Sequence, residues 1–83
     1  MIIRKEIEDI FNDVKSEWDG DNAFKGLQIL SKYTDNLIIG ATHDKICSAD
    51  IDEMIELGIT KDDIIELSKL NWMIEDDNFA CFV

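Results

Sequence analysis

His43 is the only histidine of the chain, and Asp44 and Cys47 follow it closely, so metal ligation and nucleophilic catalysis are the first chemistries to weigh. A structural zinc site takes about four Cys or His ligands in paired spacing, and a catalytic one about three with an open position. His43, Cys47 and Cys81 reach that number only if the C-terminal segment lies beside the His43 segment, and no CxxC or HExxH pairing supports them. A Cys–His nucleophile would also need a residue to orient the imidazole and donors for an oxyanion, and the sequence offers no pattern for either. The expectation is therefore a structural one. His43 makes a hydrogen bond at a strand end, both cysteines pack as small apolar residues, and the chain is neither an enzyme nor a cofactor binder. A small metal-dependent enzyme is the least favoured alternative. The Asp19-Gly20-Asp21-Asn22 cluster lacks the spaced ligands and distal Glu of a calcium loop, and reads as a helix break.

The acids carry the more regular pattern. Asp52, Glu53 and Glu56, followed by Asp62, Asp63 and Glu66, fall on two short helical segments. Carboxylates one helical turn apart lie about 5–6 Å apart at Cβ. Such a ridge can imitate a phosphate backbone, the plainer alternative being a solvated acidic face that keeps a small protein soluble, and these six residues are the candidate partner-binding set. Composition agrees: 19 acids against 8 bases give a net charge of −11, and from residue 50 onward ten acids face only Lys61 and Lys69. That field repels nucleic acid and anionic membranes and attracts cationic protein surfaces. Met54 to Ile65 has the cadence of a helix-turn-helix, and slightly that of ubiquitin-associated domains, but the acids around it exclude DNA reading.

A chain of 83 residues holds one domain, spanning 1–83, and must use its apolar residues efficiently. An apolar content of 46% argues for a folded chain despite the charge. Two cysteines are too few for a disulfide framework, and Arg4-Lys5-Glu6 interrupts the start where a signal peptide would stay apolar, so a cytoplasmic location is expected. No apolar run approaches the roughly 20 residues of a membrane span.

The elements that position the acids follow from periodicity. Ile3, Ile7, Ile10, Phe11, Val14 and Trp18 recur at helical steps, and a second helix carries Phe24, Leu27, Leu30 and Tyr33. After the Thr34-Asp35-Asn36 turn, Leu37 to Ala41 reads as a strand continuing toward Cys47, with a bend near His43-Asp44. If extended throughout, it places Ile39, Ala41, His43, Lys45 and Cys47 on one face and Ile38, Gly40, Thr42, Asp44 and Ile46 on the other. Ser48 or Asp50 caps a third helix that Gly58 ends, and Thr60 caps a fourth that stops at Asn71. Trp72-Met73-Ile74 and Phe79 to Val83 form a hairpin, whose last strand is expected to pair near Ile38. The fold class is α+β, with about four short helices on an antiparallel sheet of about three strands.

Ile29-Leu30-Ser31-Lys32-Tyr33, His43-Asp44-Lys45-Ile46, Asp62-Asp63-Ile64-Ile65-Glu66-Leu67, Leu70-Asn71-Trp72 and the closing Phe79 to Val83 together resemble small acidic proteins of phages and mobile elements. The likeness covers residues 24 to 83. Asn71 stands where that group usually has Gly, Thr42 where Glu is frequent, and Phe79 where Trp is often found. The group is largely without assigned activity, so the resemblance implies no catalytic residues. It implies a protein–protein interaction domain, in one form an inhibitor of a host defence nucleoprotein, anti-CRISPR or anti-restriction, acting through its anionic surface on a nucleic-acid-binding protein. An adaptor that binds through an apolar patch is the alternative.

Overall fold

The spacing of Ile7, Ile10 and Phe11 produces helix α1 (Arg4–Asp13) in the computed structural model, which describes residues 2–15 and 21–82. Ile7 and Ile10 are buried while Glu6, Glu8, Asp9 and Asp13 stay in solvent, so one narrow stripe docks the helix. Val14 already has extended geometry, and Trp18 lies outside the described residues, as do Asp19 and Gly20 of the expected break.

Helix α2 (Asn22–Leu30) buries a different row from the one its large apolar residues predict. Asn22, Gly26 and Leu30 face inward, whereas Phe24 is 64% exposed. Trp72 is the cause. Its indole lies so close to Gly26 that a Cβ there would sit 2.0 Å from Nε1, and Nε1–H donates to the Asn22 carbonyl at 2.9 Å. Only glycine leaves room for that ring. The Asn22 amide donates in turn to the Leu70 carbonyl at 2.7 Å.

The expected strand through His43 is two strands. β1 (Gly40–Ala41) and β2 (Lys45–Asp50) form an antiparallel hairpin that reverses at His43-Asp44. The Thr42 N–H donates to the Lys45 carbonyl at 2.8 Å, and the Thr42 hydroxyl donates to the Asp44 carboxylate at 3.1 Å. Reversal pairs Gly40 with Cys47, which puts on one face two residues that a continuous strand would separate.

Two helices follow. α3 (Ile51–Glu56) is capped by Asp50, whose carboxylate accepts the Glu53 N–H at 3.0 Å, and α4 (Lys61–Lys69) by Thr60, whose hydroxyl accepts the Asp63 N–H at 3.2 Å. Ser48, the other expected cap, instead donates to the Leu37 carbonyl from a buried position. Both helices end in the same paired bonds: Gly58 and Ile59 N–H to Ile55 and Met54 carbonyls, and Asn71 and Trp72 N–H to Ser68 and Leu67 carbonyls. Gly58 (φ 91°) and Asn71 (φ 64°) supply the left-handed residue each motif needs.

β3 (Met73–Glu75) and β4 (Asn78–Phe82) make the expected C-terminal hairpin, turning through Asp76 at φ 54°. The sheet order is β1-β2-β4-β3. β4 therefore pairs with β2, not with the segment around Ile38, because the reversal at His43-Asp44 inserts β2 between them. Among the described residues, four helices and a four-stranded antiparallel sheet make an α+β fold, with one strand more than expected. Ile7, Leu30, Ile51, Met54, Ile64, Leu67 and Phe79 fill the core between the layers, with the Phe11 and Phe79 rings 6.1 Å apart.

Candidate functional site

The six carboxylates chosen from the sequence separate into different environments. At about 100° per residue, Asp52 and Glu56 stack one turn apart on α3, opposite buried Ile51 and Met54, with Glu53 alongside. Asp62 and Glu66 form the equivalent row on α4, opposite buried Ile64, Leu67 and Ser68. All five are exposed.

Asp63 points elsewhere. Its carboxylate accepts hydrogen bonds from Lys32 Nζ (2.8 Å) and from the Tyr33 hydroxyl, and its side chain is only 13% exposed. Burial alone would raise its pKa, but the hydrogen bonds from Lys32 and Tyr33 outweigh it and hold the group below the ordinary Asp value. The same contacts raise Lys32, chiefly through its bond to Asp63, and raise Tyr33, through burial first and the Asp63 bond second. Asp63 ties α4 to the end of α2.

Arg4 does comparable work at the other side. It donates to the Asp77 carboxylate and to the Asp76 carbonyl, both at 2.9 Å, and lies 3.8 Å from Asp52 and from Glu8. The Asp77 bond is the main reason its pKa is raised. The guanidinium fork thus fastens α1 to the β3–β4 turn and partly neutralises Asp52. Glu66 has Lys69 at 3.8 Å, whereas Glu53, Glu56 and Asp62 form no ion pair with a described residue.

The histidine–cysteine set does not assemble. His43 is exposed in the β1–β2 turn and makes no side-chain hydrogen bond to a described residue, contrary to the strand-end bond expected of it. Register puts Cys81 opposite Ile46 and Cys47 opposite Ala80, so the thiols project from opposite faces of the sheet. Cys81 is buried, which raises its pKa. Among the described residues no group of three or more His, Cys, Asp or Glu is placed to hold a metal ion.

Concave surfaces escaped the sequence reading, among them the two that follow. Phe24, Leu27, Gln28, Ser31 and Leu37 line a shallow cavity of about 260 Å³, and Ile38 and Ile39, next in the chain, are each more than half exposed. The outward turn of Phe24 follows from the Gly26–Trp72 contact, which a residue count on α2 does not reveal. A second groove, of about 370 Å³, runs between α1 and α4 and is lined by Glu6, Asp9, Ile10, Asp13, Val14, Lys61 and Ile65. No helix among the described residues is long and apolar enough to cross a membrane. No known family, curated protein or solved structure matches the chain.

Proposed function

We propose that this chain is a non-catalytic protein-binding domain that engages a cationic protein surface through the exposed carboxylates of α3 and α4. Glu56 carries the reading. Acids in a first helical turn, here Asp52, Glu53 and Asp62, stabilise their own helix by about 0.3–1 kcal/mol through its dipole, so folding alone accounts for them. Glu56 is the last residue of α3, where the dipole disfavours an anion, and it is exposed with no cation among the described residues. Folding gives no reason for an acid there, and a cationic partner does. In the inhibitor form of this proposal the partner is a host defence nucleoprotein, and the carboxylates occupy the places of phosphates.

The test is affinity capture from the native host, followed by binding kinetics with the purified partner. Affinity should fall steeply with salt, since exposed charges are screened over about 8 Å at physiological ionic strength. It should fall again in E53Q/E56Q/D62N, with the loss partly in the association rate, and a nucleic acid duplex should compete. A complex that tolerates high salt and coexists with bound nucleic acid would refute the proposal. That result would favour a second reading, an adaptor docking through Phe24, Leu27 and Leu37, which the outward-facing Phe24 supports.

A further inference from the structure

The groove between α1 and α4 combines two properties that the rows on α3 and α4 do not share. Its floor is apolar, formed by Ile10, Val14 and Ile65, and one wall carries Glu6, Asp9 and Asp13. At about 100° per residue these three acids fall within about 60° of arc on α1, turned toward α4, and advance along the wall by close to one helical turn each. Asp9 lies 3.7 Å from Lys5, a largely exposed side chain, while Glu6 and Asp13 form no ion pair with a described residue. Opposite stand Lys61 and, on the outer row of α4 beyond it, Asp62 and Glu66.

We infer that this groove is the docking site for a basic amphipathic helix of the partner protein, its apolar stripe on Ile10, Val14 and Ile65 and its lysines or arginines on Glu6, Asp9 and Asp13. Two considerations select that occupant. A second copy of the chain brings its own net charge of −11 against an acid-lined wall, so self-association is opposed. A cationic helix matches the wall in sign and in spacing, because its basic residues at i, i+3 and i+7 repeat with the period of the α1 carboxylates. The inference rests on the anionic reading above and adds what that reading lacks: an apolar contact and a defined partner geometry.

The probe is a synthetic peptide of about 14 residues, roughly 20 Å of helix, with a Leu stripe flanked by Lys one turn apart. Its control is the same composition scrambled to abolish the stripe. Amide shifts of the isotope-labelled protein should move at Ile10, Val14, Lys61 and Ile65, and the scrambled peptide should bind at least about tenfold more weakly. E6Q/D9N/D13N, all exposed positions, should lose about tenfold in affinity while keeping a cooperative melt, whereas D52N/E53Q/E56Q should lose less. Ile65→Lys, half-buried on the groove floor, should weaken binding even at high salt. Shifts confined to α3, or equal binding of both peptides, would overturn the groove while leaving the anionic reading standing. Absence of binding by either peptide at low salt would overturn both.

Discussion

Replacing Gly26 by Ala adds one methyl group to the middle of a helix, where the change normally stabilises by about 1 kcal/mol. Here the sign should reverse. The new Cβ would lie 2.0 Å from Trp72 Nε1, 2.2 Å from Cε2 and 2.5 Å from Cζ2, against ordinary contacts of about 3.5–4.0 Å. Trp72 is 4% exposed, so moving its ring disturbs the packing around it. Displacing it breaks the Nε1–Asn22 bond and strands a buried N–H, a cost of about 1–3 kcal/mol. Part of the roughly 3–5 kcal/mol that a buried Trp contributes goes with it. After subtracting the helix gain, G26A should destabilise by about 3 kcal/mol, a large share of the roughly 4–12 kcal/mol available to 83 residues. Urea unfolding followed by far-UV circular dichroism measures this as a midpoint shift of roughly 2–3 M. The decisive comparison is a double-mutant cycle with W72A, run in a stabilising osmolyte so that every variant folds. Without the indole the methyl group has space, and G26A should become neutral or stabilising. An equal loss in both backgrounds, or a G26A midpoint at the wild-type value, would refute the packing argument.

Asp63→Asn should cost about 1–2 kcal/mol, because it weakens two hydrogen bonds to an ionised carboxylate, one of them from a cation, whereas Asp62→Asn next to it should stay within about 0.5 kcal/mol. Since folding lowers the Asp63 pKa, its contribution is complete above the unfolded value of about 3.9 and is lost as pH falls through the folded value. Acid denaturation of D63N should accordingly begin from a lower plateau and lose less below about pH 4. Gly58→Ala and Asn71→Ala should each destabilise by about 1 kcal/mol in thermal melts, from backbone conformation alone at Gly58, where an added Cβ meets no atom within 4 Å. Truncation before Phe79 should abolish the cooperative melt, as β4 lies between β2 and β3 and Phe79 is completely buried.

Local signals carried much of this fold into the sequence. Thr60 and Asp50 cap their helices, Gly58 and Asn71 end them, and the C-terminal hairpin turns where its acids and asparagine stand, because each feature is decided by residues within a few positions of one another. Long-range packing was not legible. Phe24 looks like a core residue until Trp72, 48 positions later, claims the row of Gly26. His43-Asp44 reads as a bend in one strand because no Gly or Asn-Gly pair announces a reversal, and that single ambiguity displaced the partner of β4.

The exposed carboxylates of the proposed surface were legible in the sequence, but the inward turn of Asp63 was not. Asp62 and Asp63 are neighbours of identical chemistry, yet one faces solvent and the other holds Lys32 and Tyr33, about 30 residues away in sequence. What separates them is a rotation of about 100° on α4, together with the end of α2 that folding brings to one side. The same process decides where the excess charge is expressed. Arg4 is committed to the β3–β4 turn, Lys32 to Asp63 and Lys45 to Glu75, so these bases serve as ties between elements. Their partners are drawn from the hairpin and from the inward edge of α4. Among the acids left without such ties, Glu6 and Asp13 on α1, Glu53 and Glu56 on α3 and Asp62 on α4 stand on helices, and Asp35, Asp44 and Asp76 stand in the turns between elements. In the proposed function a cationic partner answers the share of the net charge of −11 that those helices display.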